Sequence, residues 1–463
     1  MTSNIIRKSV RASLLAATCL VAVPAHAQDA SVDERLDRLE ALVGALIERL
    51  DQQDTMNTEQ QAEIAATTEM VMAQTTAMRD EQEQLAAQVG NVAEAQEQDG
   101  FSVGNTRFTL GGYVKLDALT LRTSGGQLPD GAITRDFLIP STIPIGGEAS
   151  GWDTDFSARQ TRVYLDTSTD LGNGTPLRSH VEIDFMVTPG GDERISNSYE
   201  PRLRQAYLVY GDWLFGQTWS TFQNVGALPE SMDFIGTTPG TVFDRQPMIR
   251  YTSGNFQIAA EQPETTITTP TGGRVLPGDD TMPDIVARYN QGGDWGSVSL
   301  AGIVRALHVD EDDFGLTDDT ALGYGLSLSG RINVGERDDL RFMATAGDGL
   351  GRYIGLNIVN DTAIDAAGDL DPIFTYSGFA AFRHWWSDDL RSTIAASYFR
   401  ADNPVLLTSD QVTDESWNAF VNLVWSPATR FDVGLEYMYA ERMLEDGRSG
   451  NLQKVQLSTR YAF

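Results

Sequence analysis

The sequence predicts an all-β protein, a sixteen-stranded antiparallel transmembrane β-barrel preceded by an N-terminal α-helical coiled coil, and three observations carry that prediction. From Phe101 onward the chain breaks into short segments in which apolar and polar residues alternate, with turn residues between them. The connections alternate between short and long, the signature of a barrel with one rim of tight turns and one of loops. The chain opens on an export signal and closes on an alternating strand that ends in an aromatic residue.

At the N-terminus, Arg7, Lys8 and Arg11 precede an apolar run from Leu14 to Val23 and then Ala25-His26-Ala27. Residues 1–27 therefore read as a secretory signal peptide cleaved before Gln28. Cys19, the single cysteine, lies inside that run, so the mature chain is expected to hold no disulfide and no cysteine metal site. The chain has 34 basic and 65 acidic residues, a net charge of −31, which becomes −34 when the signal peptide takes three basic residues with it. This balance excludes nucleic acid as a partner, since that demands a basic footprint. No later segment has the roughly 18 uninterrupted apolar residues of a spanning helix. A mean hydropathy of −0.25 is what an alternating barrel averages to.

Residues 28–100 read as a coiled-coil segment. Leu36, Val43, Leu50, Asn57, Ile64, Val71, Met78, Leu85 and Val92 recur every seventh residue, and Val32, Leu39 and Leu46 complete an a/d seam in the first third. Farther on, the d positions turn polar at Gln53, Gln60, Thr67, Gln74 and Gln88. A helix with such a stripe pairs with copies of itself, and the polar layers favour a parallel homo-oligomer.

Residues 101–463 form the barrel domain. Strands are expected near 106–121, 155–169, 177–187, 202–211, 213–222, 246–253, 255–263, 283–291, 295–309, 320–333, 338–347, 373–385, 389–401, 415–425, 430–441 and 451–463. If the short connections are periplasmic, both ends of the barrel and the coiled coil lie on that side. Trp213, Trp295, Trp385, Trp386 and Trp425 sit beside short turns, where an interfacial girdle belongs. The last strand ends at Tyr461 and Phe463 and looks like the C-terminal assembly signal of bacterial outer-membrane barrels, which implies the barrel-assembly machinery as a partner.

Gly111-Gly112-Tyr113-Val114-Lys115-Leu116-Asp117, Ala158-Arg159-Gln160-Thr161-Arg162, and Arg202-Leu203-Arg204-Gln205-Ala206-Tyr207 running into Phe215-Gly216-Gln217-Thr218-Trp219-Ser220 resemble the DcaP-like trimeric outer-membrane porins. The similarity spans nearly the whole mature chain. It implies a homotrimer in the outer membrane, among its lipid and lipopolysaccharide, with a periplasmic coiled coil and passive uptake of small, often anionic nutrients.

A porin needs inward charges rather than a catalytic triad. By alternation the pore-lining basic residues are Lys115, Arg162, Arg204, Arg250, Arg288, Arg305, Lys454 and Arg460, with Asp117, Asp166, Glu182, Asp184, Asp432 and Glu436 facing the same way. On this reading Gln205 faces outward. The connection from Phe222 to Gln246 follows the fifth strand and is the candidate constriction loop, with Glu230, Asp233, Phe234, Asp244 and Arg245 as its functional residues. Arginines opposite acidic loop groups would make a transverse field that favours small carboxylates. The rival readings are a general or cation-preferring porin, supported by the acidic loops, and a structural tether acting through the coiled coil. His180, Glu182 and Asp184 share a strand face, but any inward face spaces polar residues so, and no metal or cofactor is expected. No nucleophile elbow or phosphate loop suggests an enzyme.

Overall fold

The computed structural model describes residues 100–186, 198–278, 280–310 and 318–463. The expected signal peptide and, apart from Gly100, the expected coiled-coil segment lie outside the described residues.

Sixteen antiparallel strands close into one barrel. With strands numbered in chain order, β1 (Phe101–Val103) is a short hairpin partner of β2 (Thr106–Thr123). The second barrel strand is made of β3 (Asp153–Ser157) and β4 (Arg162–Thr169), which pair with β2 in succession. Then follow β5 (Leu177–Asp184), β6 (Arg202–Tyr210), β7 (Trp213–Trp219), β8 (Arg245–Ser253) and β9 (Phe256–Glu261). The short β10 (Ile267–Thr268) and β11 (Arg274–Val275) stand outside the wall. The wall resumes with β12 (Asp284–Gly293), β13 (Gly296–Val309), β14 (Asp319–Val334) and β15 (Asp338–Asp348). After β16 (Thr362–Ile364) and β17 (Leu370–Pro372), it finishes with β18 (Phe374–Trp385), β19 (Leu390–Asp402), β20 (Thr413–Ala428), β21 (Phe431–Leu444) and β22 (Ser449–Ala462). Closure comes from β2 against β22, in register from Tyr113 opposite Ala462 to Thr123 opposite Leu452. A closed ring leaves no strand edge unpaired, which hydrocarbon requires.

The outer face follows directly from the period-two pattern. Leu322, Leu326 and Ile394 are each more than 60% exposed, and Leu300, Val304 and Leu435 about half. So large an exposed apolar belt suits lipid and not water. Trp213, Trp295, Trp386 and Trp425 are exposed near the short-turn rim. Trp385 departs from the expected girdle. It faces inward, with the guanidinium groups of Arg383 and Arg391 stacked 5.7 and 5.0 Å from its ring.

The interior is not uniformly polar. On β13 the inward set is Ser299, Ala301, Ile303, Arg305, Leu307 and Val309, all buried and mostly apolar toward the long-loop rim. Apolar inner residues stay dry because long connections fold in over them. Val225, Leu228, Phe234, Val242 and Phe243 from one connection and Leu350, Ile354 and Ile358 from another join Ile303, Met343, Phe379 and Phe399 of the wall in one cluster. Each such side chain contributes about 1.5–3 kcal/mol by burial.

Candidate functional site

After β7 the chain turns into the barrel, and residues 220–244 return to the wall only at β8. The strand expected over 213–222 therefore ends at Trp219. Polar anchors fix the course of this segment. Asn224 donates to Ser299 of β13 and Ser329 of β14, at 3.1 and 3.0 Å. Arg341 of β15 donates to the Leu228 carbonyl. Glu230 accepts two parallel bonds of 2.7 Å from Arg391 of β19, the strong two-pronged geometry of a carboxylate on a guanidinium. Glu436 of β21 accepts the backbone N–H groups of Met232 and Asp233 at 2.8 and 3.2 Å. Asp233 meets Lys454 of β22, and Lys115 of β2 donates to the Met232 carbonyl at 2.9 Å. Phe234 packs on Phe137 with ring centres 4.9 Å apart. The segment thus follows the wall from β13 round to β2.

The strands opposite carry a different chemistry. Arg202 of β6 holds Asp184 with bonds of 2.9 and 2.7 Å, and Arg204 reaches both Asp184, at 3.2 Å, and Glu182. Arg162 of β4 lies 3.5 Å from Glu182. Arg245, at the start of β8, stacks 5.0 Å from the Trp219 ring and close to Arg202 and Arg204. A β-bulge explains how β6 contributes so much. Leu203 opposes Ile183 and Gln205 opposes Glu182, leaving Arg204 as the extra residue. Arg204 and Gln205 are consequently both buried inside, and the expectation that Gln205 faces outward is corrected.

Most of the other inward cations lie a few residues in from the short-turn rim, while Arg305 of β13 and Arg442 of β21 sit nearer the long-loop rim. Arg288 donates to Gln257 and to the Gln223 carbonyl, at 3.0 and 2.6 Å, with Arg250 near enough to repel it. Arg460 and Arg162 share the Tyr113 ring, 4.9 and 5.1 Å from its centre. Arg331 and Arg341 stand directly opposite each other on β14 and β15. Arg341 and Arg383 share Asp339, and Arg391 reaches Asp432 at 3.2 Å as well as Glu230. Asp117 lies 3.2 Å from Lys115. His180 bonds Asp166 at 2.7 Å between the rings of Tyr164 and Tyr207, whereas Glu182 and Asp184 are taken by arginines. Among the described residues no acidic or histidine group is arranged to hold a metal.

A model of the DcaP outer membrane protein family matches residues 138–463. The chain belongs to that family. The outer membrane channel DcaP of Acinetobacter baumannii shares the fold, with a TM-score of 0.65 at 23% identity over 79% of this chain and 99% of that one. Fainter likenesses are the anion-selective porin of Comamonas acidovorans (TM-score 0.47, 13% identity, 77% of this chain and 100% of that one) and OmpT of Vibrio cholerae (0.46, 13%, 79% and 100%). No curated protein matches the chain. A DcaP-family outer-membrane channel protein is not an enzyme, and its interior is read as a conduit.

The interior cations of this DcaP-family barrel that escaped the sequence reading include Arg331, Arg341, Arg383 and Arg391 on the wall strands. The same alternation that singled out Arg288 marks them too, since exposed Leu340 and Ile394 flank the inward positions of their strands. Arg352, Asp361 and the whole connection that holds them escaped for a better reason. A loop folded inward leaves no periodic trace.

The connection between β2 and β3 also enters the barrel, burying Ile133, Phe137 and Leu138. In its short helix, Ile133–Asp136, Asp136 meets Arg159. Burial, with repulsion from Asp117 and Asp155, pushes the Asp136 carboxyl up from 3.8 to about 6 against the pull of Arg159. A carboxyl raised in the fold stabilises it fully below the unfolded value, and that contribution is lost as pH rises through the folded one. The rise corresponds to about 3 kcal/mol. Amide protection across residues 128–139 is therefore expected to be greater at pH 5 than at pH 7, and Asp136→Asn to remove the difference; equal pH dependence in parent and variant would refute this.

Proposed function

We propose that the chain is a homotrimeric outer-membrane diffusion channel that favours small carboxylate-type anions, with residues 101–463 as the barrel and residues 28–100 as a periplasmic coiled coil. The succession of inward arginines near the short-turn rim carries this reading. Arg162, Arg204, Arg250, Arg288 and Arg460 line the path. Lys115, Lys454 and Arg305, all three bonded to inward connections, hold the constriction in place. Glu230 and Asp233 on one side and Arg245 with its neighbours on the other create the transverse field that orients a dipolar solute, while Asp244, next to Arg245 and 3.3 Å from Arg352, belongs to the arginine side. Guanidinium groups bind carboxylates by paired donors, which gives the field its chemical preference. Tyr461 and Phe463, exposed at the closing seam where the Phe463 N–H donates to the Gly112 carbonyl at 3.0 Å, serve as the assembly signal.

The acidic residues of the barrel loops support a general or cation-preferring alternative. The reversal potential of the purified protein in a planar bilayer under a potassium chloride gradient decides between them. An anion-selective potential is expected, with the anion-to-cation permeability ratio falling severalfold in Arg250→Gln and Arg204→Gln. A cation-selective parent channel would sink the carboxylate reading.

A further inference from the structure

We infer that the connection from Gly349 to Ile373 is a second constriction segment, joined to residues 220–244 as one partition, and that it sets the size limit of the channel independently of charge preference.

Every residue from 349 to 364 is buried, although the segment links two strands at the long-loop rim. Backbone pairing ties it to the first segment. The Phe243 N–H donates to the Tyr353 carbonyl and the Gly355 N–H to the Thr241 carbonyl, both at 2.9 Å, around an antiparallel bridge between Val242 and Ile354. Neither segment can leave the lumen without breaking these bonds.

The wall is shaped to receive it. A Cβ on Gly325 of β14 would come within 2.4 Å of Leu350 Cδ1, whereas one on Gly347 of β15 would meet the β14 backbone first, 2.1 Å from the Tyr324 carbonyl oxygen. Glycine weakens a strand, so Gly325, whose three nearest obstructions are all atoms of Leu350, makes sense as a seat for that leucine. Gly355, Leu356 and Asn357 follow one another in left-handed conformation, at φ of 60, 66 and 59°. A leucine persists there only where its surroundings over-determine it, and Leu356 is fully buried. The surface beneath, including Ile303, Leu307 and Met343, is apolar, so withdrawal would expose it to water. These features describe a resident wall element rather than a lid.

The test uses the full-length protein in planar bilayers and in proteoliposomes. Gly325→Val suits a strand but fills the seat of Leu350; Leu350→Ala empties the seat without a clash. Single-channel conductance is expected to rise severalfold in Gly325→Val and less in Leu350→Ala, with uptake of neutral sugars too large for the parent. Heat-modifiable gel mobility reports which variants are folded, and Leu350→Ala decides alone if Gly325→Val does not fold. Parental conductance and sugar cut-off in a folded variant overturn the inference. Because neutral sugars report size alone, a parent channel that proved cation-selective would refute the carboxylate reading and leave this one standing.

Discussion

Arg305→Met is expected to destabilise the barrel by about 3–5 kcal/mol, the cost of stripping one partner from a buried ionic network. Its guanidinium donates to the Gly349 carbonyl at 2.6 Å, to Asp361 at 2.7 Å, to the Glu264 carbonyl at 2.6 Å and to Asp284 at 3.1 Å. One side chain on β13 thereby fastens two inward connections and the neighbouring strand. Asp284 also receives Tyr353 at 2.7 Å and lies 3.4 Å from Arg352, which in turn lies 3.3 Å from Asp244. Methionine fills much of the volume but leaves Asp361 and Asp284 buried with less compensation. Lysine is no remedy, because a single ammonium cannot serve four acceptors spread about a planar fork. Urea titration of heat-modifiable mobility measures the loss. Combining Arg305→Met with Asp284→Asn and Asp361→Asn should recover most of it, since an apolar replacement of an entire ionic group is often close to neutral. A single variant as stable as the parent would show that the network contributes nothing net.

Glu230→Gln is expected to loosen the first inward segment by about 3 kcal/mol, at the lower end for a broken buried pair because Asp432 stays beside Arg391. Glu230 is the point where residues 220–244 are clamped to β19, and Arg383 approaches it from β18 at 3.6 Å. With a neutral amide there, the oxygen still accepts from Arg391, but the paired geometry and the opposite charge of the carboxylate are lost. The stretch from Leu228 to Gly236 keeps its other anchors at Glu436 and Lys454, so it should fluctuate rather than leave. Open-channel current noise should rise and amide exchange over these residues should quicken, while the barrel melts close to the parental temperature. Unchanged noise together with unchanged exchange would remove Glu230 from its anchoring role.

The local pattern of the sequence was sufficient for the wall. Alternation in strands such as β13 and β22 assigns each residue to lipid or interior, because a strand's side chains point to opposite faces by geometry alone. Even strand number, the two kinds of rim and the inward orientation of Lys115, Arg162 and Arg288 follow from the same period. The bulge at Arg204 did not, since one extra residue is invisible until the register with Ile183 and Gln205 is known. Nor could alternation distinguish a solvated loop from residues 349–364, which pair by backbone with residues 241–243 far back in the chain. Strand faces are decided by covalent geometry over two residues, and so are written in the chain; what fills the barrel is decided by contacts between segments a hundred residues apart, and only the folded molecule brings those together.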